Sequence, residues 1–146
     1  MKCTERAAAY FGEGFNCSQA VCTAFAEELG IDRDTALKFA AGFGGGMGRM
    51  GGTCGVVTGA YMALGLKYGP TQANPEAKAA MYASIRKFAE QFAAGHQGLE
   101  CRELLGYDIS IAEEHETARN KGLFKTICPQ LVRDASEILE EMLSCA

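Results

Sequence analysis

No stretch of this chain stays apolar for long. The longest such run, Gly55 to Leu66, falls well short of the ~20 residues that span a bilayer. No apolar segment follows Met1 to Glu5 either, so a secretory leader is not expected. Basic residues are in the minority, with 14 Lys and Arg against 18 Asp and Glu and a net charge of −4. They form no cluster, so nucleic acid is not an expected partner. These absences point to a soluble cytoplasmic protein. No segment alternates apolar and polar residues with a period of two, which excludes half-buried strands and leaves an all-α fold. No repeat, linker or low-complexity segment divides the chain. Residues 1–146 are therefore expected to form a single domain, large enough to bury a core without staples.

Several familiar motifs are missing as well. There is no C-x₂-C pair, so zinc ribbons and thioredoxin-type sites are excluded. The C-x-x-C-H of haem attachment is absent, and no Gly-Lys-Ser/Thr follows the glycines to make a P-loop. The chain nevertheless holds seven cysteines: Cys3, Cys17, Cys22, Cys54, Cys101, Cys128 and Cys145. An odd number without a leader disfavours a secreted disulfide scaffold. In a reducing compartment cysteines serve as small buried hydrophobes, metal ligands or redox thiols.

The other conspicuous feature is Gly42 to Gly59, GFGGGMGRMGGTCGVVTG. Glycine at that density marks a backbone that takes positive φ or approaches something closely. A flexible surface loop is the plainer reading, but this stretch has Phe43, Met47 and Met50 and no serine before Thr53. Gly46 to Gly51 also matches GxGxxG letter for letter. That fingerprint requires a preceding strand, and Asp34 to Phe43 has helical spacing instead. The stretch reads best as one wall of a cysteine-lined redox or metal site.

Helices are predicted over Thr4–Phe11 and from Cys17, with Asn16 and Gln19 as a capping box and Gly30 as the stop. Another follows Asp32 or Asp34 to about Phe43. Thr53 reads as the N-cap of a helix that begins at Cys54. Gly55, Gly59 and Ala63 there open a groove for a second backbone, while Val56, Tyr61, Met62, Leu64 and Leu66 cover the rest, so this helix is expected at the centre of the bundle. Asn74-Pro75 opens the next helix, which ends near Gly95. A two-turn helix spans Cys101 to Gly106, and Ser110 to Glu113 signals a small polar one. Arg119 to Lys125 is predicted as loop, and Cys128-Pro129 as the cap and first residue of the last helix.

Cys17, Cys54, Cys101 and Cys128 thus share a placement at helix starts, where unpaired amides favour thiolate. Singly, each is compatible with a packed structural cysteine. Together they suggest a site gathered from four elements. Cys3, Cys22 and Cys145 read as packing or tail residues. His96 and His115 read as surface residues, and Arg49 as either a counter-ion for thiolates or an exposed arginine.

Asn16-Cys17-Ser18-Gln19-Ala20, Gly42 to Gly48 leading to Cys54-Gly55-Val56-Val57-Thr58-Gly59-Ala60, Cys101 to Gly106 and Cys128 closely resemble the C_GCAxxG_C_C family of redox-active proteins. Val56 replaces the alanine of the family's central motif. The resemblance implies a redox role for Cys17, Cys54, Cys101 and Cys128. A related domain in split-Soret cytochromes is associated with an iron–sulfur centre, and four cysteines are the usual ligand set for such clusters. By that resemblance an iron–sulfur cluster, such as [2Fe-2S], would sit on the four thiols. Gly44, Gly45, Gly46 and Gly52 would bring backbone amides to it, and Arg49 a balancing charge. The expectation is electron transfer or redox sensing with a partner protein, a homodimer remaining open. A thiol/disulfide oxidoreductase and a structural zinc site are the alternatives.

Overall fold

The structure is a computed structural model that describes residues 2–144. Cys145, read above as a tail residue, lies outside the described residues. Among the described residues the elements are helical, and the one β-type contact is an isolated antiparallel bridge between Thr53 and Glu100. The all-α expectation holds. No helix among the described residues is long and apolar enough to cross a membrane.

Helix α1 (Cys3–Gly12) packs on α2 (Cys17–Glu28). Asn16 caps α2 as its sequence predicts: its side chain accepts from the Gln19 amide at 2.9 Å, and Gln19 Oε1 accepts from the Asn16 amide at 3.0 Å. Asp32 caps α3 (Arg33–Ala40) by accepting from the Thr35 amide. A 3₁₀ turn, Ala41–Phe43, leads into the glycine stretch, whose single turn α4 (Gly44–Met47) contains Gly45 and Gly46 in the left-handed region. Helix α5 (Gly55–Tyr68) follows. Then come α6 (Pro75–Ala94), capped by Asn74, and the short α7 (Cys101–Leu105). The chain closes with α8 (Ala112–Asn120) and α9 (Leu123–Leu143).

Helix α5 is buried from Gly55 to Ala60 and again at Ala63 and Leu64, with α2, α6 and α9 against it. Phe25, Val57, Leu64, Phe88, Phe92, Val132 and Leu139 fill the space between these helices. The predicted groove is real. A Cβ on Gly59 would come within 2.8 Å of the Ser18 carbonyl and 3.2 Å of the Cys22 amide, and one on Gly55 within 2.9 Å of the Ser18 amide. Gly55 meets Cys17 and Ser18 while Gly59 meets Ser18 and Cys22, so α2 and α5 run parallel and start side by side. That register sets the ends of two cysteine-bearing helices next to each other.

Several helix boundaries and the exposure of one side chain differ from expectation. Helix α5 begins at Gly55, with Cys54 as its N-cap, because Thr53 is engaged in the bridge to Glu100. Helix α9 begins at Leu123 rather than at Pro129, so Cys128 and Pro129 lie within it, and the predicted loop 119–125 is instead the junction of α8 and α9. Ser110 does not cap α8; its amide and hydroxyl donate to Asp108, and Ile111 takes the cap position. Leu66, expected to cover α5, is exposed. A second, smaller core of Cys101, Leu105, Ile109 and Ala118 fastens α7 and α8 to the start of α9.

Candidate redox site

The glycine stretch is held in an unusual path. Gly45, Gly46, Met47, Gly48 and Arg49 all have φ between 64° and 72°, a left-handed turn that L side chains resist. Return hydrogen bonds fix it: the Gly51 amide donates to Gly45 O at 3.2 Å, and that of Gly52 to Gly46 O at 2.9 Å. A Cβ on Gly46 would come within 2.5 Å of the Gly52 nitrogen, so no larger residue fits there.

The chain then runs alongside residues 99–102. Cys54 donates its amide to Leu99 O at 2.8 Å, and Cys101 donates to Gly52 O at 2.6 Å. This short ladder is what brings Cys54 and Cys101 together. Cys17 joins them through the α2–α5 register, and Cys128 arrives from α9. All four cysteines line one open pocket of about 1030 Å³, and none is in a disulfide. Gly44, Gly45, Gly46 and Arg49 line it too. Gly52 is not among the lining residues; it acts through the backbone bonds to Gly46 and Cys101.

The thiols differ electrostatically. Cys17 is lowered from 9.0 to about 7, first because the Cys54 thiol donates to it, and further because the amides of Gly45, Ser18 and Cys17 itself point at its sulfur. Cys54, as the donor, is held well above its ordinary value by that bond and by burial. Burial pushes Cys101 up to about 12, with the charges of Cys17 and Asp108 adding to it. Cys128 is also pushed up to about 12, by burial and then by the charges of Cys17 and Cys101. A helix start was expected to favour thiolate at all four positions. Only Cys17 is lowered, chiefly by the Cys54 bond with the amides at the start of α2 adding to it; Cys54 is raised by giving that bond, Cys128 sits inside a helix, and burial outweighs the short α7 at Cys101. Each thiol feels the charge on its neighbours, so four thiolates together demand positive charge among them.

The remaining cysteines are apart from this set. Cys3 and Cys22 are buried in the helix core, and burial raises Cys22 to about 11. His96 pairs with Asp134 at 3.2 Å and stacks on Phe92. His115, read from sequence as a surface residue, is half-buried against Phe124 and lines the cysteine pocket, as do Phe15 and Lys125. No local pattern announces these three. His115 and Lys125 arrive because α8 and α9 fold back over the pocket, and Phe15 comes from the connection between α1 and α2.

The family model described as "Putative redox-active protein (C_GCAxxG_C_C)" matches residues 15–142. The chain belongs to this family. The match takes in all four pocket cysteines of this C_GCAxxG_C_C protein and the whole glycine stretch, and it leaves out Cys3 and Cys145. No curated protein and no solved structure matches the chain.

A single metal ion and a cluster make different demands on this donor set. Among the described residues, no group of three or more His, Cys, Asp or Glu side chains is placed to hold a single ion, which a tetrahedral site with bonds of ~2.3 Å requires. A cluster spreads its ligands over several iron atoms, so its thiolates stand farther apart. Four thiols line one pocket, with amides directed at one sulfur, and four cysteines are the donor type that a cluster takes.

Proposed function

We propose that this protein is an electron carrier or redox sensor holding an iron–sulfur cluster on Cys17, Cys54, Cys101 and Cys128. The observation that carries the reading is the convergence of four thiols from four separate elements on one pocket. Four cysteines are the usual ligands of such clusters, and a bound cluster would supply one-electron exchange. The rest of the chemistry belongs to the chain. Amides of Gly45, Ser18 and Cys17 stabilise negative charge at the Cys17 sulfur, and hydrogen bonds of this kind favour the reduced state. The left-handed turn brings the Gly45 amide to that position. Apolar Leu104, Leu105, Ile109 and Leu131 line the thiol region and limit water around it.

Purification without oxygen tests the reading. The expected product is brown, with visible charge-transfer absorption, and contains iron and acid-labile sulfide in stoichiometric amounts. Colourless protein free of iron would overturn it.

One observation favours a second reading, that of a thiol/disulfide oxidoreductase: the hydrogen bond between Cys54 and Cys17. In this version the Cys17 thiolate attacks a disulfide of a partner protein and releases one partner thiolate. Cys54 then attacks Cys17 in the mixed disulfide and releases the second, its proton passing to a leaving thiolate. A Cys17–Cys54 disulfide is formed and the partner disulfide is reduced, one of its sulfurs leaving as thiolate and the other as thiol. Mass spectrometry of the metal-free protein distinguishes this route by a reversible loss of two hydrogens, mapped to that pair.

A further inference from the structure

The cysteine pocket is selective in charge. The chain is acidic overall, and 18 of its 146 residues are Asp or Glu, yet no Asp or Glu is among the described residues that line this pocket. Arg49, His115 and Lys125 line it instead. Asp108, whose charge raises Cys101, borders a separate small pocket with Glu100 and Glu103 and accepts from Ser110. A solvated surface of average composition would not sort its charges this way.

The pocket is also larger than four thiols and a cluster need. At about 1030 Å³ it stands at the top of the roughly 300–1,000 Å³ span of small-molecule sites. A cluster assembled from bonds of ~2.3 Å occupies only part of that space. The remaining wall comes from other elements: Phe11 and Phe15 from the end of α1 and its connection to α2, and His115, Phe124 and Lys125 from α8 and α9. Aromatic rings beside basic side chains suit a ligand with a flat apolar body and a negative group.

Arg49 is held there at a cost. With φ at 65° it is a non-glycine residue in the left-handed region, a strain of the sort that persists where function requires it. Its stem lies over Gly45, at 3.3 Å from the Cβ that glycine lacks, and Gly45 directs its amide to Cys17.

We propose that the cysteine pocket binds a small aromatic or otherwise apolar organic anion beside the four thiols, with Arg49 and Lys125 as its charge-recognising residues. The protein would then act on a substrate or sense a ligand, beyond carrying electrons. The proposal does not depend on what metal the thiols hold.

The test compares two probes that share a body and differ in charge, 2-naphthoate and 2-naphthalenemethanol. The chain has no tryptophan, so naphthalene fluorescence is read without interference from indole. Both probes are titrated into the anaerobically purified protein and into the metal-free protein. Saturable binding of one naphthoate per chain is expected, about tenfold tighter than the alcohol, as one charge-assisted contact provides. Arg49→Gly and Lys125→Gln should each remove several-fold of that preference, and Arg49→Gly should also melt at a higher temperature, because glycine relieves the strain. Bound naphthoate should slow alkylation of Cys128 in the metal-free protein. Equal binding of the two probes, or a preference unchanged in the well-folded double variant, would overturn the proposal. Anaerobically purified protein that carries no iron yet prefers naphthoate would refute the cluster alone, and clustered protein indifferent to naphthoate would refute the anion site alone.

Discussion

There is no room for a methyl group between Gly55 and Cys17: a Cβ on Gly55 would overlap the Cys17 sulfur. The same glycine that lets α5 lie against α2 also leaves that sulfur its place in the pocket. Gly55→Ala must therefore separate the two helices or turn Cys17 away. Overpacking of this kind costs about 1–3 kcal/mol, and denaturant unfolding should show a loss in that range. Gly65 is the control, since it lies in the same helix with nothing within 4 Å of its missing Cβ. Gly65→Ala should gain roughly 0.5–1 kcal/mol, the helical advantage of alanine over glycine. Equal effects at the two positions would contradict the close approach.

Cys17 should be the most reactive thiol in metal-free protein, and its reactivity should depend on pH near neutrality. Its value is lowered to about 7 by the Cys54 bond, so the thiolate predominates above pH 7 and is lost as pH falls through it. Alkylation by iodoacetamide, mapped by mass spectrometry, should give a midpoint near 7 for Cys17. Cys101 and Cys128, pushed up to about 12, should remain slow through pH 9. Cys54→Ala removes the donor and should move the Cys17 midpoint upward. The stability linkage has matching signs. A lowered thiol adds stability above its unfolded value of 9.0 and loses it as pH falls through about 7. The raised thiols act in reverse, and their contribution declines as pH rises above 9.

Much of this arrangement is legible in the sequence, because capping and glycine spacing are local. Asn16 and Gln19 announce the start of α2, Asn74-Pro75 that of α6, and the Gly55–Gly59–Ala63 spacing the contact with α2. Cys128 is misplaced for a physical reason: Pro is common at a first helical turn, but an apolar stripe from Leu123 through Ile127 to Leu131 carries α9 straight through it. Thr53 has the side chain of an N-cap, yet pairing with Glu100 takes precedence. Such pairing connects residues 47 positions apart, and no local pattern reports it. For the same reason His115 and Lys125 cannot be assigned to the pocket before the fold is known.

Asn16 has two duties that one substitution should separate. Its side chain caps α2, and its Nδ2 donates to Ala41 O at 2.9 Å, tying the helix start to the approach of the glycine turn. Loss of a cap alone costs about 1 kcal/mol. Asn16→Asp keeps a capping acceptor but removes the donor to Ala41. The aspartate variant should retain most of the stability that Asn16→Ala loses, while both variants should retain less iron per chain after anaerobic purification. Full iron content in both would show that the tie to Ala41 does not support the site.

Pro129 should trade stability against the position of Cys128. Inside α9 it deprives the Lys125 carbonyl of its helical partner, and proline in a helix interior costs about 3 kcal/mol relative to alanine. Pro129→Ala should restore that bond and raise the unfolding free energy by an amount on the order of 1–3 kcal/mol, read from chemical denaturation. A regularised α9 would also shift Cys128, which immediately precedes the proline and lines the pocket with it. The more stable variant is therefore expected to bind less iron and to lose the electrostatic coupling between Cys128 and Cys17. Cys22→Ala is the companion measurement: it alters a cysteine buried in the helix core away from the pocket and should lower stability while leaving iron content intact. If Pro129→Ala were no more stable than the parent and kept its full iron, the proline would have no part in shaping the pocket wall.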